Sequence, residues 1–298
     1  MRWGDFRRSD NVEEGSAGGG GGGMGFGGPV RLSGGVIIVA VVAGLIFGIN
    51  PLDMLGALTG GGPVAQQQAP APQAPGKESG VRTGAPNASR DFVSAVLGST
   101  EDVWGKLFTQ MGSRYDPPKL HLFHGTVRSS CGNASAASGP FYCAADRKVY
   151  LDTAFFDELE RRFAAPGDFA RGYVIAHEVG HHVQNLLGVM DQFDRQQQSA
   201  GQGGRNALSI RLELQADCFA GVWGHYVQSA QLLDPGDVEA GLRAASAVGD
   251  DQIQKRTQGY VVPESFTHGS AIQRVKWFRA GFDSGDVRAC NTFSARDL

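Results

Sequence analysis

The sequence predicts an α+β fold, mostly helical with a small sheet, preceded by one transmembrane helix. Three observations carry this. Over residues 89–298, runs with helical periodicity outnumber short β-prone runs. Residues 32–52 form a 21-residue stretch without a charged side chain, and about 20 apolar residues cross a bilayer. Residues 1–88, under a third of the 298, hold half of the 44 glycines and 7 of the 13 prolines. So interrupted a segment cannot bury the apolar surface that would offset its ordering entropy. A single core therefore belongs to residues 89–298.

Taken in order, residues 1–31 read as a disordered glycine-rich tail, with six consecutive glycines at 18–23. Residues 32–52 follow as the span. A cleaved signal peptide fits less well, because the apolar run starts late and no small-x-small site follows it. Arg2, Arg7, Arg8 and Arg31 precede the run, and no Lys or Arg follows until Lys77. The positive-inside rule then places the N-terminus in the cytoplasm and residues 89–298 outside, as a single-pass protein of the cell membrane. Residues 53–88 read as a Pro/Ala/Gln-rich linker, an extended tether.

Within 89–298, residues 91–111 have helical periodicity through Phe92, Val96, Val103 and Leu107. Residues 119–124 and Lys148–Asp152 are β-prone, and the second is a candidate sheet edge for an extended peptide. Thr153 is placed to cap a helix running through Phe163. Further helices are expected over about 168–187, 204–230 and 236–248, with a last one from near Ser270. The formal net charge of −3 falls on 89–298, since the first 88 residues are balanced. A mildly acidic domain without a basic run excludes nucleic acid as partner. The four cysteines, Cys131, Cys143, Cys218 and Cys290, all lie in this domain. In an extracytoplasmic domain they suggest two disulfides, with three connectivities open. Pairing Cys131 with Cys143 would close a Gly/Ser/Ala-rich loop, leaving Cys218 and Cys290 to tie down the C-terminal segment. Zinc ligation by the cysteines is disfavoured, because no C-x-x-C spacing occurs.

The chemistry concentrates at Tyr173-Val-Ile-Ala-His-Glu-Val-Gly-His-His-Val-Gln184. Histidines at i and i+4 share one helix face, so His177 and His181 can reach one zinc ion. Glu178 follows the first of them and is placed to take a proton from a water that the zinc activates. A third ligand is needed. The extended metzincin pattern is excluded by Gln184 and Leu187, and Glu213, on the next strong helix, is the best candidate. Asp217, one turn on, could orient a zinc histidine through its outer N–H. His182, Asp191 and Asp194 compete less well: His182 faces about 100° away from His181, and the aspartates follow the helix end expected at Gly188. His121, His124 and His225 read as structural or surface groups. Tyr260 reads as packing, with a second oxyanion donor as its functional alternative.

His177-Glu-Val-Gly-His-His182, Glu213-Leu-Gln-Ala-Asp217 and Thr267-His-Gly-Ser270 together resemble the bacterial family of predicted neutral zinc metallopeptidases. The resemblance extends to the Arg2-Trp-Gly-Asp-Phe-Arg-Arg-Ser start and to residues 139–152, and so covers nearly the whole chain. It implies a zincin-like metallopeptidase domain, Zn2+ as cofactor, and a peptide or protein substrate, and it leaves the oligomeric state open. A more distant similarity is to gluzincins that carry a Thr-His-Pro-(x)4-Arg element. Thr267-His268-Gly269 followed by Arg274 keeps that spacing with Gly in place of Pro. This implies that His268 hydrogen-bonds substrate or the developing oxyanion, with Arg274 in a supporting ion pair. Two other readings stay open: an amide hydrolase acting on cell-wall peptides, and an extracytoplasmic module with a structural zinc. A structural site would be closed by four protein ligands and would not need Glu178.

Overall fold

A computed structural model describes residues 1–15, 85–135, 138–163 and 166–298. The expected span at 32–52 and most of the expected linker at 53–88 lie outside the described residues. No helix among those described is long and apolar enough to cross a membrane.

Alternating side chains build the sheet. In chain order the strands are β1 (Val12–Glu14), β2 (Lys119–Phe123), β3 (Thr126–Ser129), β4 (Gly132–Ser135), β5 (Phe141–Cys143) and β6 (Lys148–Asp152). Four of them form a mixed sheet in the order β1-β2-β6-β5, with β1, β2 and β6 parallel and β5 antiparallel to β6. Leu120, Leu122, Tyr142, Val149 and Leu151 turn one face into the main core. Phe123, Phe141, Cys143 and Tyr150 turn the other face toward Val127, Cys131 and Ala134 of the antiparallel β3–β4 hairpin. This is the period of two that a pleated strand imposes. Cys131 and Cys143 are disulfide-bonded, fastening the hairpin to β5.

The helices are α1 (Ala85–Gln110), α2 (Ala154–Phe163), α3 (Asp168–Leu186), α4 (Val189–Ser199), α5 (Gln202–Ser229), α6 (Asp237–Ala247), α7 (Asp250–Gln258) and α8 (Ala271–Ser284). α3 and α5 lie at the centre. All of α3 from Tyr173 to Gln184 is buried, as is all of α5 from Leu212 to Gly224. Two glycines set how close these helices come. A Cβ on Gly180 of α3 would stand 3.0 Å from the Ala216 carbonyl oxygen of α5, and one on Gly221 of α5 would collide with the Phe278 carbonyl of α8. Backbone-to-backbone contact of this kind draws side chains from three helices onto one point. Ser270 caps α8 in a reciprocal box with Gln273. The second disulfide, Cys218–Cys290, holds the C-terminal segment against α5.

Several expectations change. Residues 1–14 are not a disordered tail: Met1, Phe6 and Val12 are buried in the main core, and β1 pairs with β2. Composition hid this because the glycines of the first 88 residues crowd behind position 14. The last residues of the expected linker begin α1. Asp152, rather than Thr153, receives the N–H of Ala154 at 2.8 Å. Lys148–Asp152 is no sheet edge, because β5 pairs outside it. α4 and α7 go beyond what periodicity suggested; α4 buries only Phe193 and Gln197 and has no apolar stripe to read.

Candidate metal centre

α3 supplies two imidazoles and α5 one carboxylate. His177, His181 and Glu213 are buried, with potential ligand atoms all within 4.8 Å of one another. His177 Nε2 lies 3.2 Å from Glu213 Oε2, and His181 Nε2 lies 3.5 Å from Glu213 Oε1. The i, i+4 spacing brings the two rings within 4.8 Å, centroid to centroid. Gly180, between them, lets Glu213 come close enough to complete the group.

Both rings are anchored at Nδ1, which leaves Nε2 for the centre. His177 Nδ1 donates to Asp217 Oδ1 at 2.9 Å. Asp217 also accepts from the Tyr173 hydroxyl at 2.5 Å and from Arg274 at 2.8 and 2.9 Å. His181 Nδ1 donates to Gln184 Oε1 at 2.8 Å. The Gln184 amide in turn donates to the Leu212 carbonyl and to Gln215, and Gln215 donates to the Cys290 carbonyl. Partners of this kind fix the tautomer and the direction of a metal-binding histidine. Two nitrogens and one carboxylate, held in this way, fit a zinc site with one open position.

The charges fit the same arrangement. Burial alone would lower the pKa of His177, but Asp217 and Glu213 outweigh it and push it up to about 10. Burial dominates at His181 and lowers it to about 4. Burial opposes ionisation of Glu213, yet His268, His181 and His177 hold its pKa well below the carboxylate range. Asp217 is held down in the same manner by Arg274 and His177. Glu178 is buried, and that desolvation raises it to about 7.

His268 joins the group from the loop before α8. Its charge is felt by both Glu213 and Glu178. His268 Nδ1 lies 2.9 Å from the Thr267 hydroxyl and 3.3 Å from Asp250 Oδ1. Asp250, the first residue of α7, also accepts the backbone N–H groups of Thr267, His268 and Gly269 at 2.7, 2.7 and 3.1 Å. The whole Thr-His-Gly turn is thus pinned by one carboxylate.

His177, His181 and Glu213 therefore come together, with Asp217 and Arg274 behind His177, and the charges of Glu178 and His268 act on the same group. The competing residues do not join them. His182 is taken up by the Tyr142 hydroxyl and the Asp116 carbonyl. Asp191 and Asp194 lie on α4, and no metal-binding group among the described residues includes them. Tyr260 is largely exposed. Sequence reasoning missed Tyr173, Gln184, Gln215 and Asp250. Tyr173 and Gln184 were within reach, being four residues before His177 and three after His181 on the same helix face. Asp250 carried no such signal, since 17 residues separate it from Thr267.

A family described as "Putative neutral zinc metallopeptidase" matches residues 1–293. This chain belongs to that family. Among the relatives of this chain is "Uncharacterized protein YpfJ" of Escherichia coli (strain K12), 48% identical over 98% of this chain and 99% of the relative. Another is "Uncharacterized protein Rv2575" of Mycobacterium tuberculosis (strain ATCC 25618 / H37Rv), 45% identical over 69% of this chain and 71% of the relative. No solved structure matches the chain. Membership in the family and the His177/His181/Glu213 group agree on a metal-dependent peptidase.

Proposed function

We propose that the chain is a zinc-dependent peptidase of gluzincin type, with His177, His181 and Glu213 as the zinc ligands. The observation that carries this reading is the convergence of those three side chains, with Glu178 next to His177 in the same helix. Among the described residues Glu178 has no hydrogen-bond partner, although it is buried. Zinc bound there would lower the pKa of a water and polarise the scissile carbonyl. Glu178, poised near neutrality, takes the proton of the attacking water and hands it to the leaving amine. His268, with Nδ1 committed to Asp250 and Thr267, turns Nε2 to the carbonyl oxygen as negative charge develops there.

The substrate approach follows from the sheet. β5 is an edge strand whose outer side has no strand partner among the described residues. Its Tyr142 bonds to His182, the neighbour of His181, which sets this edge beside α3. An extended peptide is placed to add there by main-chain hydrogen bonds. Two disulfides and no free cysteine support an oxidising, extracytoplasmic setting.

Glu178→Gln and Glu213→Ala in the full-length protein test the assignment. The first should keep its zinc and lose casein hydrolysis by at least about 100-fold, the scale of a general base. The second should lose zinc. Unchanged hydrolysis in Glu178→Gln, or full zinc occupancy in Glu213→Ala, would sink it.

A further inference from the structure

The first fifteen residues are built into the peptidase domain, although some seventy residues separate them from α1. β1 lies parallel to β2 in a fixed register, with Val12 opposite Leu120 and Glu14 opposite Leu122. Trp3 Nε1 donates to Asp168, the first residue of α3, at 3.0 Å, and the Trp3 ring meets Phe92 of α1 edge-on. The Met1 methyl reaches the backbone of α3 at Gly172, one turn and a half ahead of His177. Arg8 forms a two-pronged pair with Asp91 at 2.8 and 2.9 Å. A Cβ at Gly98 of α1 would collide with the Arg7 carbonyl, so α1 is shaped for this segment. Buried apolar side chains, sheet pairing and ion pairs together make this a core element, not an adhering tail.

Such docking constrains topology. A chain that crosses a membrane once between residues 15 and 85 leaves those two ends in different compartments, and strands in different compartments cannot pair. Two helical crossings need about 40 apolar residues, and the uncharged stretch has 21. We propose that residues 1–15 and 85–298 form one unit on a single side of the membrane, an arrangement that an odd number of crossings between them would forbid. The positive-inside orientation, which separates the two, is then wrong. Its weakness is physical: Arg2, Arg7 and Arg8 sit far from the apolar run, and Arg7 and Arg8 are committed to Glu101, Asp102 and Asp91 within the fold.

Two measurements on the full-length chain in cells test this. Asp10→Cys and Asp283→Cys each place a thiol at an exposed position, one in the N-terminal segment and one on α8. A membrane-impermeant maleimide applied to spheroplasts should modify both thiols or neither, and both after lysis. Labelling of one thiol only would overturn the proposal. In the unaltered protein, Glu13 lies 2.7 Å from the Lys148 ammonium and 3.0 Å from that of Lys119. A carbodiimide applied to intact cells should therefore join the peptide containing Glu13 to one containing Lys148 or Lys119. Mature protein that lacks residues 1–15, or that yields no such linked peptide, would also overturn it.

Discussion

Among the described residues Glu178 has no hydrogen-bond partner, whereas the neighbours that position the centre are tied down, and on the proposed function this contrast separates reacting from positioning groups. Gln184 is the clearest positioning case. Its carbonyl holds His181 while its amide is satisfied by α5. Gln184→Leu keeps the volume and removes the bond, and should weaken zinc affinity 10–100-fold, the usual effect of losing such a partner; competition with a chelator of known affinity measures it. Asp250 acts on His268. Burial opposes its ionisation, but His268 and the backbone N–H groups of the turn outweigh this and depress its pKa. A depressed carboxylate contributes stability that is present above the unfolded value near 3.9 and is lost as pH falls through the folded one. Asp250→Asn should therefore flatten the acid limb of a urea-unfolding stability profile. Asp250→Ala should cost about 3 kcal/mol, since bonds to a charged group are worth about 1.5–3 each. Neither change should release zinc, because Asp250 touches no ligand; zinc loss in either would place it elsewhere in the scheme.

At the scale of elements, the distance between α3 and α5 decides whether three side chains make one site. Gly180 is the spacer, its position 3.0 Å from the Ala216 oxygen leaving no room for a branched side chain. Gly180→Val should destabilise by about 1–3 kcal/mol, as overpacking does. It should also weaken zinc binding by moving Glu213 away from the imidazoles, so calorimetric unfolding and metal titration should change together. Zinc affinity that survives a lowered Tm would mean the ligands do not depend on this helix contact. The helix carrying the histidines, and its partner, were legible from sequence because i, i+4 spacing is a property of one local element. Glu213 and Asp217 were legible for the same reason. β1 was not, because three residues carry no periodicity and their partner lies over a hundred positions away. α4 was lost to its polarity, and the Asp250 contact to its distance from the turn it holds.

Over the whole molecule, long-range ties close the fold at both ends. Cys218–Cys290 closes a loop of 72 residues and fastens the terminal segment, where Thr292 bonds the Arg211 carbonyl. A loop of that size removes about 4 kcal/mol of unfolded-state entropy in the chain model, against about 3 for the short Cys131–Cys143 loop. Replacing Cys218 and Cys290 by alanine should lower denaturant stability by the larger amount; a smaller loss than for the other pair would discount the loop-entropy account. At the other end, Met1 pairs its amine with Asp234 and Asp237 at 2.9 and 2.6 Å. By itself the sequence determined the helical character, the histidine pair with Glu178 beside it, and the Glu213/Asp217 pair, since each pair is written in a short spacing that one helix makes physical. It also bounded the chemistry, through charge and cysteine count. Only the tertiary structure decided that the first fifteen residues belong to the peptidase fold, that β5 rather than Lys148–Asp152 is an edge strand among the described residues, and that one aspartate holds the His268 turn. Those contacts join positions far apart in the chain, and their energy comes from burial and charge pairing that exist only after the core has closed.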